Sequence, residues 1–249
     1  MDLGIEGKVA LVMGASAGLG FGVASALALE GAQVAITSRS GQRIEAAAKK
    51  IGARGYIHET SDIARIPALI ALVEQQIGPI DIVVTNTGGP PPNADALAFS
   101  DPQWDAAYRD LVRAPMALIE RVVPGMRQRG WGRILNCSSS AAREPIANLM
   151  LSNTLRGGML AAFKTLARQL APDGITVNTL LPGRIATQRI IDLYGSVEAA
   201  QAAAATEIPA ARLGRIEEFA ATAAFLCSDR ASYINGVALL VDGGLTRSV

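Results

Sequence analysis

The sequence has little of the material from which hydrolytic, metal-dependent and nucleic-acid-binding sites are usually built. There is one histidine, His58, in 249 residues. A Ser-His-Asp triad or a histidine-based metal centre would have to use it, and nothing near it in sequence supports either. The two cysteines, Cys137 and Cys227, show no CxxC or metal-ligand spacing. Cys137 lies in an apolar run and is expected to pack there as a reduced thiol. Neither sign of charge dominates: 23 Lys and Arg stand against 22 Asp and Glu, with no basic block. That removes the electrostatic footprint of a nucleic-acid-binding protein. No apolar run approaches the roughly 20 residues of a membrane-spanning helix. The opening MDLGIEGKVALVMG has no basic segment followed by a cleavable apolar one, so a soluble, cytoplasmic protein is expected. Aromatic residues make up only 4%, and no tyrosine occurs between Tyr108 and Tyr194.

What is present is apolar and finely alternating. Half of the residues are hydrophobic and 18% are charged, enough for a large core and against disorder. Residues 8–13, 33–38, 54–59 and 80–86 read as short buried strands, as do GRILNCS, ITVNTLL and VALLVDGG further on. Helical runs lie between them: Leu19 to Glu30, GQRIEAAAKKIG, IPALIALVEQQIG, Trp104 to about Arg129, the long run that NLMLSNTLRGGM opens, and EEFAATAAFLCS. Strands alternating with helices of this length imply right-handed crossovers and one parallel sheet, hence an α/β fold in a single domain spanning 1–249. The proline-rich GGPPPN (88–93) must be a loop. It lies at the C-terminal end of a strand, where ligands bind in open α/β sheets.

MGASAGLG follows the first strand and opens the first helix. Gly14, Gly18 and Gly20 let the backbone turn sharply and approach a pyrophosphate, while the helix N-terminus offers it free N–H groups. A tight strand–helix turn with no ligand needs the same glycines. Their place after the first strand of a βαβ series favours a dinucleotide. The second strand ends AITSRSGQR, with Ser38 and Arg39 where an acidic residue would bind the ribose of NAD. A guanidinium beside a hydroxyl suits a 2′-phosphate, so NADP(H) is favoured over NAD(H).

These motifs, in this order, resemble those of the short-chain dehydrogenase/reductase family from about Gly7 to Gly244. The family's TGxxxGxG stands as MGASAGLG, with Met13 for threonine; its NNAG stands as NTGG, Asn86 to Gly89; its closing motif is VDGG. The resemblance implies a Rossmann-type doubly wound sheet of about seven parallel strands with helices on both faces. It implies cofactor contacts from Ser16 and Leu19 of the glycine turn, from Asp62 and Ile63 in SDIA, and from Asn86, Thr87 and Gly88. At the nicotinamide end it implies Pro182, Gly183, Ile185 and Thr187 of LPGRIATQ. It implies hydride transfer between NAD(P)H and a small-molecule carbonyl or alcohol, with 3-oxoacyl-acyl-carrier-protein reduction as the default substrate class. Assembly as a homotetramer or homodimer, through the two long helices and the last strand, follows from the same resemblance. The segment about 185–208 would close over substrate.

The family's Asn–Ser–Tyr–Lys tetrad is where the sequence departs. Its serine falls on Ser139, but the YxxxK pair reads SNTLR, with Ser152 and Arg156, and the asparagine position is Leu111. Leucine cannot hold a relay water. Arg156 keeps the positive charge and can clamp ribose hydroxyls, but arginine is a poor proton relay. Ser152 is shorter than tyrosine and far less acidic than a phenol. Tyr194 is a candidate proton donor, or ordinary packing. Three readings stay open at this stage. One is an oxidoreductase with an atypical site. Another is a non-enzymatic NADP(H)-binding sensor or partner. The third is a lyase or dehydratase step using Arg156 and the serines of CSSS.

Overall fold

The computed structural model describes residues 1–248. Seven strands form one parallel sheet: β1 (Val9–Val12), β2 (Gln33–Ser38), β3 (Arg54–Ile57), β4 (Ile82–Asn86), β5 (Gly132–Cys137), β6 (Ile175–Pro182) and β7 (Ala238–Val241). Their order is β3-β2-β1-β4-β5-β6-β7, so the winding reverses between β1 and β4. Such a switch point opens a crevice at the strands' C-terminal ends. Every strand predicted from the sequence is present; β2 has the expected bounds, β6 runs one residue further to Pro182, and the others lose residues at their ends, where pairing stops.

The inner strands are buried on both faces, with successive side chains pointing to opposite cores, whereas the edge strands β3 and β7 stay partly exposed. Ala10, Val12, Ile82 and Val84 face one core, filled by helices α1 (Gly18–Leu29), α2 (Gly41–Ile51) and, near the end of the chain, Ile216–Leu226. Val9, Leu11 and Val83 face the other, filled by α3 (Ile66–Gln76) and by two later helices, Ala114–Arg129 and Met150–Leu170. The latter supplies Met159, Phe163, Ala167 and Leu170 at helical spacing. No helix among the described residues is long and apolar enough to cross a membrane.

The helix expected from Trp104 to Arg129 is interrupted. It runs as α4 (Asp101–Tyr108), one π-turn over Arg109–Arg113, and α5 (Ala114–Arg129). Ala114 N–H reaches back five residues to the Arg109 carbonyl. Pro115 accompanies the shift: it has no N–H for the Leu111 carbonyl that a regular α-turn would pair with it, which favours a local change of ladder. The helix also starts earlier than expected, at a capping box in which Ser100 and Gln103 satisfy each other's backbone N–H groups.

Next along the chain is α6 (Met150–Leu170), then α7 (Gln188–Tyr194) and α8 (Val197–Glu207), and last α9 (Ile216–Leu226). A small third cluster, Ala200, Ala204, Ile208 and Leu213, seats α8, with Ile190 and Tyr194 of α7 packed on its edge.

Candidate active site

At the switch point the glycine turn closes on β4. Gly14 has φ +59°, which favours glycine. Asn86 Nδ2 donates to the Gly14 carbonyl at 3.0 Å, stitching the turn to the end of β4. Space there is exhausted: a Cβ on Gly14 would lie 2.6 Å from Asn86 O, and one on Gly20 would lie 2.5 Å from Gly14 O. Thr37, near the end of β2, holds the other side. Its Oγ1 accepts from Gly14 N–H at 3.3 Å, and its carbonyl accepts from Ala15 N–H at 2.9 Å.

Ala17, preceding α1, caps nothing with its side chain, and the helix has no acidic residue in its first turn. The N–H groups there are left for an anion. A cleft of about 400 Å³ beside this helix start is lined by Ser16, Gly18, Arg43 and Lys50, among others. Ser38 is buried and its Oγ accepts from Ser40 N–H at 3.2 Å, whereas Arg39 is exposed. Arg43 and Lys50 were not singled out from the sequence. Their signal was available: both lie on α2, which follows Arg39 directly.

The second half of the site hangs on α6. Asn153 fixes where that helix begins, with Nδ2 donating to Ile146 O at 2.8 Å and Oδ1 accepting from Ile146 N–H at 3.2 Å. One turn in, Ser152 and Arg156 share a face, as four-residue spacing requires. Arg156 Nε donates to Ser152 Oγ at 3.1 Å, and its Nη2 reaches Thr87 O at 3.5 Å. Both side chains are buried, Ser152 to 4% and Arg156 to 7% residual exposure. Among the described residues Arg156 makes no ion pair. Burial, and then the nearby Arg189 guanidinium, pull its pKa down to about 10. It stays charged at neutral pH, but less firmly than a solvated arginine.

Ser139 Oγ accepts from Ala141 N–H at 3.2 Å, capping a single 3₁₀ turn, Ser140–Ala142. Beside it, Ser138 Oγ is buried and bonds nothing among the described residues. Leu111 is buried in the π-turn that packs on α6. Cys137, last in β5, has its thiol pushed up to about 12 by burial.

The chain matches the family described as Enoyl-(Acyl carrier protein) reductase over residues 14–246. It is 33% identical over 245 residues to the 3-oxoacyl-acyl-carrier-protein reductase FabG of Escherichia coli (strain K12), covering 98% of this chain and 99% of that one. It is 33% identical over 258 residues to the NADPH-dependent reductase BacG of Bacillus subtilis (strain 168), covering 97% and 99%. The crystal structure of L-sorbose reductase from Gluconobacter frateurii, complexed with NADPH and L-sorbose, aligns over the whole of both chains with a TM-score of 0.92 at 31% identity. The chain belongs to the short-chain dehydrogenase/reductase family of oxidoreductases.

In this dehydrogenase/reductase the remaining positions singled out from the sequence fall at the same sheet edge or lead to it. Gly183 follows β6 and donates to Val241 O at 3.0 Å; a Cβ there would meet Asp242 at 2.6 Å. Ile185 is buried and bridges to Gly214, which sets Thr187 at the start of α7. Thr187 Cγ2 lies 3.7 Å from where a Cβ on Gly18 would be, so the two loops meet. Leu19 packs on the first core. Asp62 precedes the 3₁₀ turn Ile63–Arg65 and is half-buried beside His58. His58 is itself buried, with Nε2 unbonded and its pKa lowered by burial. No group of three His, Cys, Asp or Glu among the described residues could hold a metal. Tyr194 packs at the third cluster with the Arg184 guanidinium over its ring, 5.5 Å from the centroid, and Arg184 pairs with Glu207.

A larger cleft, of about 530 Å³, opens beside Trp131 and Tyr233 at the opposite end of the sheet. Its one buried cation, Arg133, is already bonded to the carbonyls of Ser228, Gly132 and Gly174.

Proposed function

We propose that the chain reduces a ketone at the expense of NADP(H), with the Ser152–Arg156 pair in the place the family gives to tyrosine and lysine. The observation that carries this reading is a buried guanidinium, without a carboxylate partner, bonded to a buried hydroxyl and to the carbonyl of Thr87. The glycine turn fits a dinucleotide: Gly14 and Gly20 have no room for side chains, and the first turn of α1 offers free N–H groups. When bound, NADPH would supply the hydride.

The chain's own residues handle position and charge. Gly14, Ser16, Gly18, Leu19 and Gly20 would hold the pyrophosphate end, and Asp62 with Ile63 the adenine. Asn86, Thr87 and Gly88, with Pro182, Gly183, Ile185 and Thr187, would hold the nicotinamide end. Ser38, Arg39 and Arg43 would surround a 2′-phosphate. Ser152 accepts from Arg156, so its own proton is free to turn toward the substrate oxygen, with Ser139 orienting that oxygen from the other side. Arg156 stabilises the charge that develops there, an electrostatic role that a fixed cation performs without giving up its proton. The relatives named reductases support the direction of reaction. The half-exposed edge strand β7, with Leu239 41% exposed, supports a homotetramer or homodimer.

Titration with NADPH and NADH, followed by nicotinamide fluorescence, tests the cofactor. NADPH is expected to bind at least about tenfold more tightly, which corresponds to roughly 1.4 kcal/mol. Arg39→Ala should remove most of that preference by weakening NADPH alone. Equal affinities in the wild type would refute the 2′-phosphate reading. A second reading, an NADP(H) sensor, draws on Leu111, which replaces the relay asparagine with an apolar side chain. It requires NADPH binding with no ketone turnover across a substrate panel.

A further inference from the structure

Arg189, on α7, is a second cation at the mouth of the site that the proposed chemistry leaves unused. Its guanidinium lies against Gly89, where a Cβ would be 2.9 Å from Nη2 and 3.1 Å from Nη1. Gly89, in the GGPPPN loop, leaves room for that approach, and a side chain there would push the guanidinium aside. Arg189 is exposed, and among the described residues it has no ion pair. It is close enough to Arg156 to act on it electrostatically. Two like charges thus converge with no counterion.

Four acidic side chains of the neighbouring segments are committed elsewhere. Asp192 accepts from Gln188, Glu207 pairs with Arg184, Asp242 accepts from the N–H groups of Gly244 and Thr246, and Glu144 accepts from those of Arg247 and Ser248. Of the five N–H donors on Arg156, two have protein partners. A guanidinium fork in this state matches a carboxylate in two parallel hydrogen bonds.

We infer that Arg189 and Arg156 together select a substrate bearing a carboxylate, an oxo-acid rather than a neutral ketone or thioester. This rests on the oxidoreductase reading above. Arg189 would take the carboxylate in its fork at the Gly89 face, while Arg156 faces the carbonyl oxygen through Ser152. Arg189 is a specificity residue in this scheme, and Arg156 serves both binding and reduction. The product is the matching hydroxy-acid, formed as NADPH and one proton are consumed and NADP⁺ is released.

Butyrate and its neutral isostere butyramide are unreactive probes of this arrangement. Calorimetric titration of the wild type in saturating NADP⁺ is expected to show butyrate binding at least about tenfold more tightly than butyramide. In Arg189→Gln the ratio should fall to about one, and Arg189→Lys should restore part of it. NADPH affinity in Arg189→Gln should stay within about twofold of wild type. With acetoacetate and ethyl acetoacetate as substrates, the same variant should lose its kcat/KM preference for the acid.

Equal binding of butyrate and butyramide by the wild type, or no detectable binding of either, would overturn the inference. So would a preference that survives Arg189→Gln. A tenfold loss of NADPH affinity in that variant, with butyrate binding unchanged, would assign Arg189 to the cofactor's phosphates instead. If no nicotinamide cofactor binds at all, the oxidoreductase reading fails. The two probes titrated against the cofactor-free protein then still decide whether an anion site exists.

Discussion

Arg156→Met is expected to melt roughly 2–6 °C higher than the wild type near neutral pH, while ketone reduction falls about 10²–10³-fold. The gain comes from removing a charge that burial disfavours. A guanidinium whose pKa falls from its usual 12.5 to about 10 carries an unfavourable free energy of roughly 3 kcal/mol in the folded state. Methionine of similar reach fills the space but forfeits the bonds to Ser152 and Thr87, about 1 kcal/mol each, so a net gain of about 1–2 kcal/mol remains. The sign with pH follows from proton linkage. Near neutrality both the folded and unfolded states are protonated at this residue, and the full penalty applies. As pH rises through about 10, the folded state releases its proton first, the unfolded state binds more protons, and the wild type gains stability relative to the variant. The melting-temperature gap should therefore narrow in alkali. Differential scanning calorimetry across that range, beside NADPH-oxidation assays, measures both halves. A variant that melts lower than the wild type at neutral pH would show that Arg156 is a structural cation with a satisfied environment, and would remove it from the site.

Gly20→Ala should weaken cofactor binding sharply, with NADPH affinity reduced by about two orders of magnitude, or roughly 3 kcal/mol. The added Cβ meets Gly14 O at 2.5 Å and Asn86 Nδ2 at 2.6 Å. Both atoms belong to the 3.0 Å hydrogen bond that joins the glycine turn to β4, so the turn must move to accept a methyl group. Overpacking of this kind also lowers stability, by about 1–3 kcal/mol. Gly22→Ala separates the two effects. Two residues along the same helix, its Cβ runs into the Ile216 side chain of α9, on the side away from the turn. That variant should lose stability and keep its NADPH affinity. If Gly20→Ala binds NADPH as well as Gly22→Ala does, the turn is not where the pyrophosphate sits.

The sheet was legible because its physics is local. Buried parallel strands need short, largely apolar runs, which β1 and β4 supply most plainly, while β3 at the edge buries only Tyr56 and is marked more by its place in the alternation. The four-residue spacing of Ser152 and Arg156 likewise told that they share a helical face. Their burial did not show in the sequence, since it depends on β4 and the Thr87 carbonyl, far away in the chain. Arg189 was invisible for the same reason: its meeting with Gly89 is a tertiary event between a loop and a short helix. The π-turn is a different case. Pro115 was there to be read, and the carbonyl it leaves without an N–H partner announces an irregular turn at Leu111. Tyr194 could be read from sequence as proton donor or as packing, and the Arg184 guanidinium over its ring places it in the packing of α7 and α8.

The isolation of the third cluster sets the order in which the molecule comes apart. Ala200, Ala204, Ile208 and Leu213 bury little apolar surface compared with either face of the sheet. Opening α7 and α8 then forfeits only that small share, and Arg189 is carried away with them while the sheet stays closed. Amide hydrogens of α7 and α8 should exchange through this partial opening, orders of magnitude faster than those of β4 and β5, whose exchange waits for global unfolding. A carboxylate held by Arg189 would fasten α7 to the sheet and slow exchange in α7, and it would slow β4 and β5 as well, because global unfolding also releases the anion.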